Sequence, residues 1–162
     1  MAEGQRLDVE APAHGWATVR LTAPGVALEF TASYTPGDSI GDLARSAVQS
    51  LAGVPEEVVT WNTEPVECEF RFMAVAGRTR LEVYEFPDAR HLRRDVDART
   101  ALVEGDTPAM ARAVWRGLRR LQGSVPACEF AAAWGHPFPV AAVERLGEGL
   151  RGGVGHEPAG PA

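Results

Sequence analysis

The stretch from 35 to 53, TPGDSIGDLARSAVQSLAG, places its apolar residues at Ile40, Leu43, Ala44, Ala47, Val48 and Leu51. That is the spacing of a helix with a single apolar face. Ser39 with Asp42 three positions on forms a relaxed capping box, and Asp38 and Asp42 complement the positive end of the helix dipole. Gly53 followed by Pro55 ends the segment. Such a face has to be covered. The flanking segments alternate apolar and polar residues, so the natural cover is a sheet built from both flanks. The helix then serves as the crossover between a first hairpin and a later meander.

The first hairpin is WATVRLT (16–22) and GVALEFTASY (25–34) around Pro24-Gly25. Pairing across this turn sets Leu21 opposite Leu28, Val19 opposite Phe30 and Ala17 opposite Ala32. The alternate pairs, Arg20 with Glu29 and Thr18 with Thr31, suit a water-facing side. After the helix, EVVTWNT (57–63) and VECEFRFMAVA (66–76) pair around Glu64-Pro65, with Trp61 opposite Cys68 and Val59 opposite Phe70. A turn at Gly77-Arg78 leads into TRLEVYEF (79–86) and sets Ala74 opposite Leu81 and Phe72 opposite Val83. In this register Glu85 points to the core side opposite Phe70.

Residues 87–100 alternate charge signs, with Leu92 and Val96 as the apolar anchors, and read as an excursion. ALVEG adds a weak sixth strand. Asp106-Thr107-Pro108 opens a helix to about Gln122 with the stripe Met110, Val114, Leu118 and Leu121. PACEFAAAW (126–134) is a shorter helix, and VAAVERLGEGL (140–150) is a last one with Val140, Val143, Leu146 and Leu150 inward. The expected fold is α+β: a mainly antiparallel sheet of five to six strands (β-β-α-β-β-β), a crossover helix and two to three C-terminal helices. One domain spans 13–150, with 1–12 and 151–162 flexible.

A chain of 162 residues can bury one self-sufficient core. No apolar run approaches the about 18 residues that span a bilayer, and the N-terminus has no apolar signal segment, so the chain reads as cytoplasmic and not membrane-bound. Its formal charge of −6 opposes nucleic-acid binding and favours a basic partner. Cys68 and Cys128 are isolated from each other and from clustered histidines, so neither a disulfide framework nor a metal site is expected, and no cofactor motif is present. All sixteen basic residues are Arg, which excludes Schiff-base lysine chemistry.

Trp16, Ser33-Tyr34 leading into Asp38, Ile40-Gly41-Asp42-Leu43, Trp61, Glu64-Pro65 and the closing Trp134-Gly135-His136-Pro137-Phe138-Pro139 resemble the pattern of a group of small bacterial proteins of uncharacterised function. The resemblance covers residues 15–150 and implies a single domain, with no activity to carry over.

Several clusters carry residue types capable of chemistry. Glu64, Glu67, Glu69, Glu82 and Glu85 could form a paired-carboxylate site, but period 2 sends Glu67 and Glu69 to the face away from the aromatic core, where solvated carboxylates stay ordinary. Asp38 and Asp42 suit capping better than cation binding. Arg112, Arg116, Arg119 and Arg120, with Arg90, Arg93 and Arg94 before them, read as a solvated face balanced by acidic neighbours. A Cys128 and His136 dyad lacks an orienting third group, and Cys128 beside Phe130 is expected to be buried.

The sequence therefore favours a non-catalytic protein-binding module of the immunity, adaptor or regulatory-partner kind. Its expected partner face carries Glu67, Glu69, Arg71, Met73, Glu82, Tyr84 and Phe86, because Tyr, Phe, Met and Arg are enriched at interface centres. The alternative is a small-molecule-binding protein or enzyme with a pocket between sheet and C-terminal helices, lined by Tyr34, Trp61, Tyr84, Trp115 or Trp134.

Overall fold

The computed structural model describes residues 4–87 and 99–153. Seven strands form one antiparallel sheet in sequential order: β1 (Arg6–Val9), β2 (Trp16–Ala23), β3 (Val26–Ser33), β4 (Glu56–Asn62), β5 (Glu67–Val75), β6 (Arg78–Phe86) and β7 (Arg99–Asp106). Helix α1 (Ser39–Leu51) connects β3 to β4, and α2 (Thr107–Ser124), α3 (Ala127–Trp134) and α4 (Val140–Gly152) follow β7. The class is α+β as expected, with seven strands in place of five to six. The excursion expected at 87–100 falls mostly outside the described residues.

The additional strand is β1. Residues 1–12 were expected to be flexible, yet Arg6 to Val9 pair with Thr22 to Val19, and Leu7 and Val9 are buried. The core thus begins before residue 13. At the other end, α4 runs to Gly152, past the expected boundary at 150. What read as a weak sixth strand is the eight-residue β7, paired with β6 along its length except at Thr100, where the register shifts between Val83 and Tyr84.

The first hairpin has the expected register in every pair, with Pro24-Gly25 as its two-residue loop and Gly25 at φ 74°. The β4–β5 pairing also agrees: Val59 meets Phe70 and Trp61 meets Cys68. The β5–β6 hairpin differs by two residues. Its loop is Ala76-Gly77, at φ 51° and 78°, and not Gly77-Arg78, so Phe70 meets Val83, Phe72 meets Leu81 and Ala74 meets Thr79. A left-handed pair of loop residues matches the twist of the flanking strands, and Ala76 accepts that conformation beside the glycine. A shift of two leaves every side chain on its expected face. Glu85 moves opposite Cys68 and is exposed at the strand end.

Helix α1 is the hub of the second layer, packing on α2, α4, β4 and β5. Ile40, Leu43, Ala44 and Ala47 are buried as the stripe requires, while Val48 and Leu51 are half-buried. The cap is Asp38, which accepts from the Gly41 amide at 3.0 Å; Ser39 is instead buried and donates to the Thr60 carbonyl at 2.6 Å. In α2, Asp106 accepts from the Ala109 amide at 2.7 Å and the expected stripe is buried. Val140 of α4 is exposed, against expectation, because it stands in the helix's first turn beyond the packed face.

β3 meets β4 in a single pair, Ser33 with Asn62. Across this join the Phe30 ring packs edge-on against Trp61 at 5.7 Å and Phe70 at 5.8 Å. With Phe72 these rings form the aromatic centre of the core.

Candidate functional site

The registers of β4 to β7 place Glu67, Glu69, Arg71, Met73, Glu82, Tyr84 and Phe86 together on the sheet face opposite the helices. Sequence reasoning brought these residues to one face, and they are there. Their exposure differs from expectation. Glu69, Arg71, Glu82, Tyr84 and Phe86 are buried, Tyr84 to 5% and Phe86 to 1% of their free surface, while Glu67 and Met73 remain half-exposed.

A chain of paired charges runs from the buried centre at Glu69, Arg71 and Glu82 out to exposed Arg80, Arg99 and Glu104. Arg71 donates to Glu69 through Nη2 at 2.8 Å and Nε at 2.9 Å, and its guanidinium lies 4.0 Å from the centroid of the Tyr84 ring. Tyr84 stacks on Phe86 at 6.0 Å and donates its hydroxyl to Glu82. Glu82 faces Arg80 at 3.5 Å and Arg99 at 3.7 Å, and Arg80 reaches Glu104 at 3.0 Å. Three carboxylates thus stand against three guanidiniums. Burial, reinforced by the Glu82 carboxylate, pushes the Tyr84 hydroxyl above its usual range. Of the five carboxylates weighed as an acid/base cluster, Glu69 and Glu82 are held by these partners, and Glu85 stands apart at the exposed strand end.

Around this centre the same face exposes apolar side chains outside the expected partner set. Val58 on β4, Val75 on β5 and Leu102 on β7 retain 38%, 72% and 36% of their surface. Met73, Val75, Arg78, Arg80 and Glu104 line a shallow depression of about 360 Å³. The signal for this rim was in the sequence as apolar residues at outward positions of alternating strands, visible once the partner strand and register are known.

Of the aromatic residues named for a pocket, Tyr34 and Trp134 border one open depression of about 270 Å³ together with His14 and Gly135, while Trp61, Tyr84 and Trp115 lie apart from it. Trp61 and Trp134 are core residues with no exposed surface, and Tyr84 lies on the opposite side of the sheet. The Trp134 indole donates to Asp38 at 2.9 Å, which ties α3 to the start of α1. Tyr34 is exposed, its ring laid against Gly15 and Gly135, both at left-handed φ. Trp115 lines a separate groove between α2 and α4.

Cys128 is exposed, contrary to expectation, because it lies on the solvent side of α3 while Phe130 fills the core side. No hydrogen bond joins it to His136 among the described residues. Cys68 is buried, and burial together with Glu85 and Glu69 raises its thiol far above the reactive range. No group of three His, Cys, Asp or Glu side chains able to hold a metal occurs among the described residues. Arg90, Arg93 and Arg94 lie outside the described residues; Arg120 is committed to Asp8 at 2.7 Å and the Leu7 carbonyl at 3.0 Å, and Arg119 to Gln122 at 2.8 Å. No described helix is long and apolar enough to cross a membrane.

No protein-family model, curated protein or solved structure matches the chain.

Proposed function

We propose that this chain is a non-catalytic protein-binding domain, of the immunity, adaptor or regulatory-partner kind, whose partner docks on the outward face of β4 to β7. The observation that carries this reading is the exposed apolar set Val58, Val75 and Leu102, with half-exposed Met73, around a charge network that already satisfies itself. Apolar surface on a sheet face with no described helix over it costs solubility unless something uses it. The contact centre is thereby moved from Tyr84 and Phe86 to this rim, and Arg71, Tyr84 and Glu82 become the rigid floor beneath it. Glu56, Glu67 and Glu104 border the rim and, with the net charge of −6, steer a basic partner.

The test uses the full chain immobilised as bait, beside a Val75→Asp, Leu102→Asp variant, with a photo-crosslinking residue introduced at position 75. A stoichiometric protein that is retained by the parent chain, crosslinks through position 75 and is lost from the variant supports the reading. A partner that binds both forms equally overturns it, as does a small molecule retained in native mass spectrometry with no protein partner.

A further inference from the structure

The groove between α2 and α4 combines features that the core and the outward sheet face lack. It holds about 400 Å³ and is lined by Arg112, Trp115, Gly147, Leu150 and Arg151. Its floor exists because residue 147 is glycine. A Cβ there would stand 2.9 Å from the Trp115 indole nitrogen, so any larger residue would lift the ring off α4. The Arg151 Nη1 lies 3.7 Å from the same point, so an indole N–H and a guanidinium converge above Gly147. Arg112 sits one turn before Trp115 and shares its side of α2.

Unlike Arg71, Arg80 or Arg120, neither Arg112 nor Arg151 makes an ion pair or hydrogen bond among the described residues. Glu148, three residues before Arg151, makes no ion pair with it. Two uncommitted guanidiniums and an indole donor bordering an otherwise apolar groove of ligand size form a pattern of complementary recognition. The body of the ligand is apolar, and its head is an anion able to accept several N–H bonds.

We propose that the groove between α2 and α4 binds a small amphipathic carboxylate. Its head lies between Arg112 and Arg151 and accepts from the Trp115 indole, and its apolar body lies along Trp115 and Leu150. This site is independent of the outward sheet face, from which it is separated by the core.

Decanoate and its uncharged counterpart decanol serve as probes, titrated below micelle formation into the full chain by calorimetry and by tryptophan fluorescence. Decanoate should bind about tenfold or more tightly than decanol. Arg112→Gln with Arg151→Gln should abolish that preference while leaving the melting temperature unchanged, and Arg119→Gln should change neither. Trp115→Phe should remove the fluorescence response. Absence of decanoate binding, equal affinity for the two probes, or full retention of the preference in the double variant would each overturn the proposal.

Discussion

Helix α2 contains two glycines whose replacement by alanine should move stability in opposite directions. At Gly117 a Cβ would stand 2.1 Å from the Leu7 carbonyl oxygen and 3.1 Å from its carbon. A carbon and an oxygen need about 3.3 Å, so helix and strand must part by roughly 1 Å. The obstacle is backbone, and the same carbonyl accepts from Arg120, so the strand cannot simply rotate aside. The cheaper response is strain at the upper end of overpacking, about 3 kcal/mol. The dearer one is release of β1, which forfeits the burial of Leu7 and Val9, roughly 3–6 kcal/mol together. Against either stands a helix-propensity gain of about 1 kcal/mol. Gly117→Ala should therefore lose about 2–5 kcal/mol. Gly123, with nothing within 4 Å, should gain about 0.5–1 kcal/mol as alanine. Urea unfolding followed by circular dichroism measures both, and amide exchange at Leu7 and Val9 shows whether β1 has left. If Gly117→Ala is as stable as the parent chain, α2 does not rest on the β1 backbone and the placement of the first strand is wrong.

Tyr84→Ala should destabilise the chain by about 3 kcal/mol or more, because the ring is buried under Arg71 and against Phe86; a loss below about 1 kcal/mol would return Tyr84 to the list of contact residues. A thiol reagent at mildly alkaline pH should modify Cys128 alone in the native chain and both cysteines in urea, and rapid native reaction of Cys68 would refute its burial. Asp8 is partly buried, which by itself raises its pKa, but hydrogen bonds from Arg6 and Arg120 prevail and hold it below the usual carboxylate range. Its folded value is therefore below the unfolded one of about 3.9: the stabilisation is complete above that pH and is lost as pH falls through the folded value. Asp8→Asn should flatten this acid limb in stability measured from pH 5 downward, and an unchanged limb would mean that the carboxylate contributes nothing there.

The elements most legible in the sequence were those whose local chemistry leaves one solution. Pro24-Gly25 admits a two-residue loop, and that loop dictates every pair from Ala17–Ala32 to Leu21–Leu28. The α1 stripe was readable because six apolar residues keep one period. β1 was missed although Leu7 and Val9 alternate with Arg6 and Asp8, since four residues amid polar sequence give period 2 too little length to stand out. The β5–β6 loop was misplaced because an alanine, and not only glycine, takes the left-handed conformation at 76. For the candidate site, alternation assigned the face correctly. Whether Tyr84 is bare or covered depends on tertiary placement that alternation does not encode.

The single pair between β3 and β4 has a consequence for cooperativity. The strand ladder all but divides the sheet into two meanders, β1–β3 and β4–β7, and what spans the division is the packing of Phe30 on Trp61 and Phe70, the Gln5 amide donating to the Glu104 carbonyl, and α2 seated on β1 through Arg120 and the Leu7 carbonyl. Helix α1 crosses the same division and is anchored to α2 and α4 beyond it. The two meanders are therefore joined by side chains and by α2 more than by the strand ladder, so the backbone pairing of one does not run through that of the other. Loosening the aromatic seam alone would leave α2 on β1 to hold the meanders together, so sequential unfolding steps require the loss of both contacts.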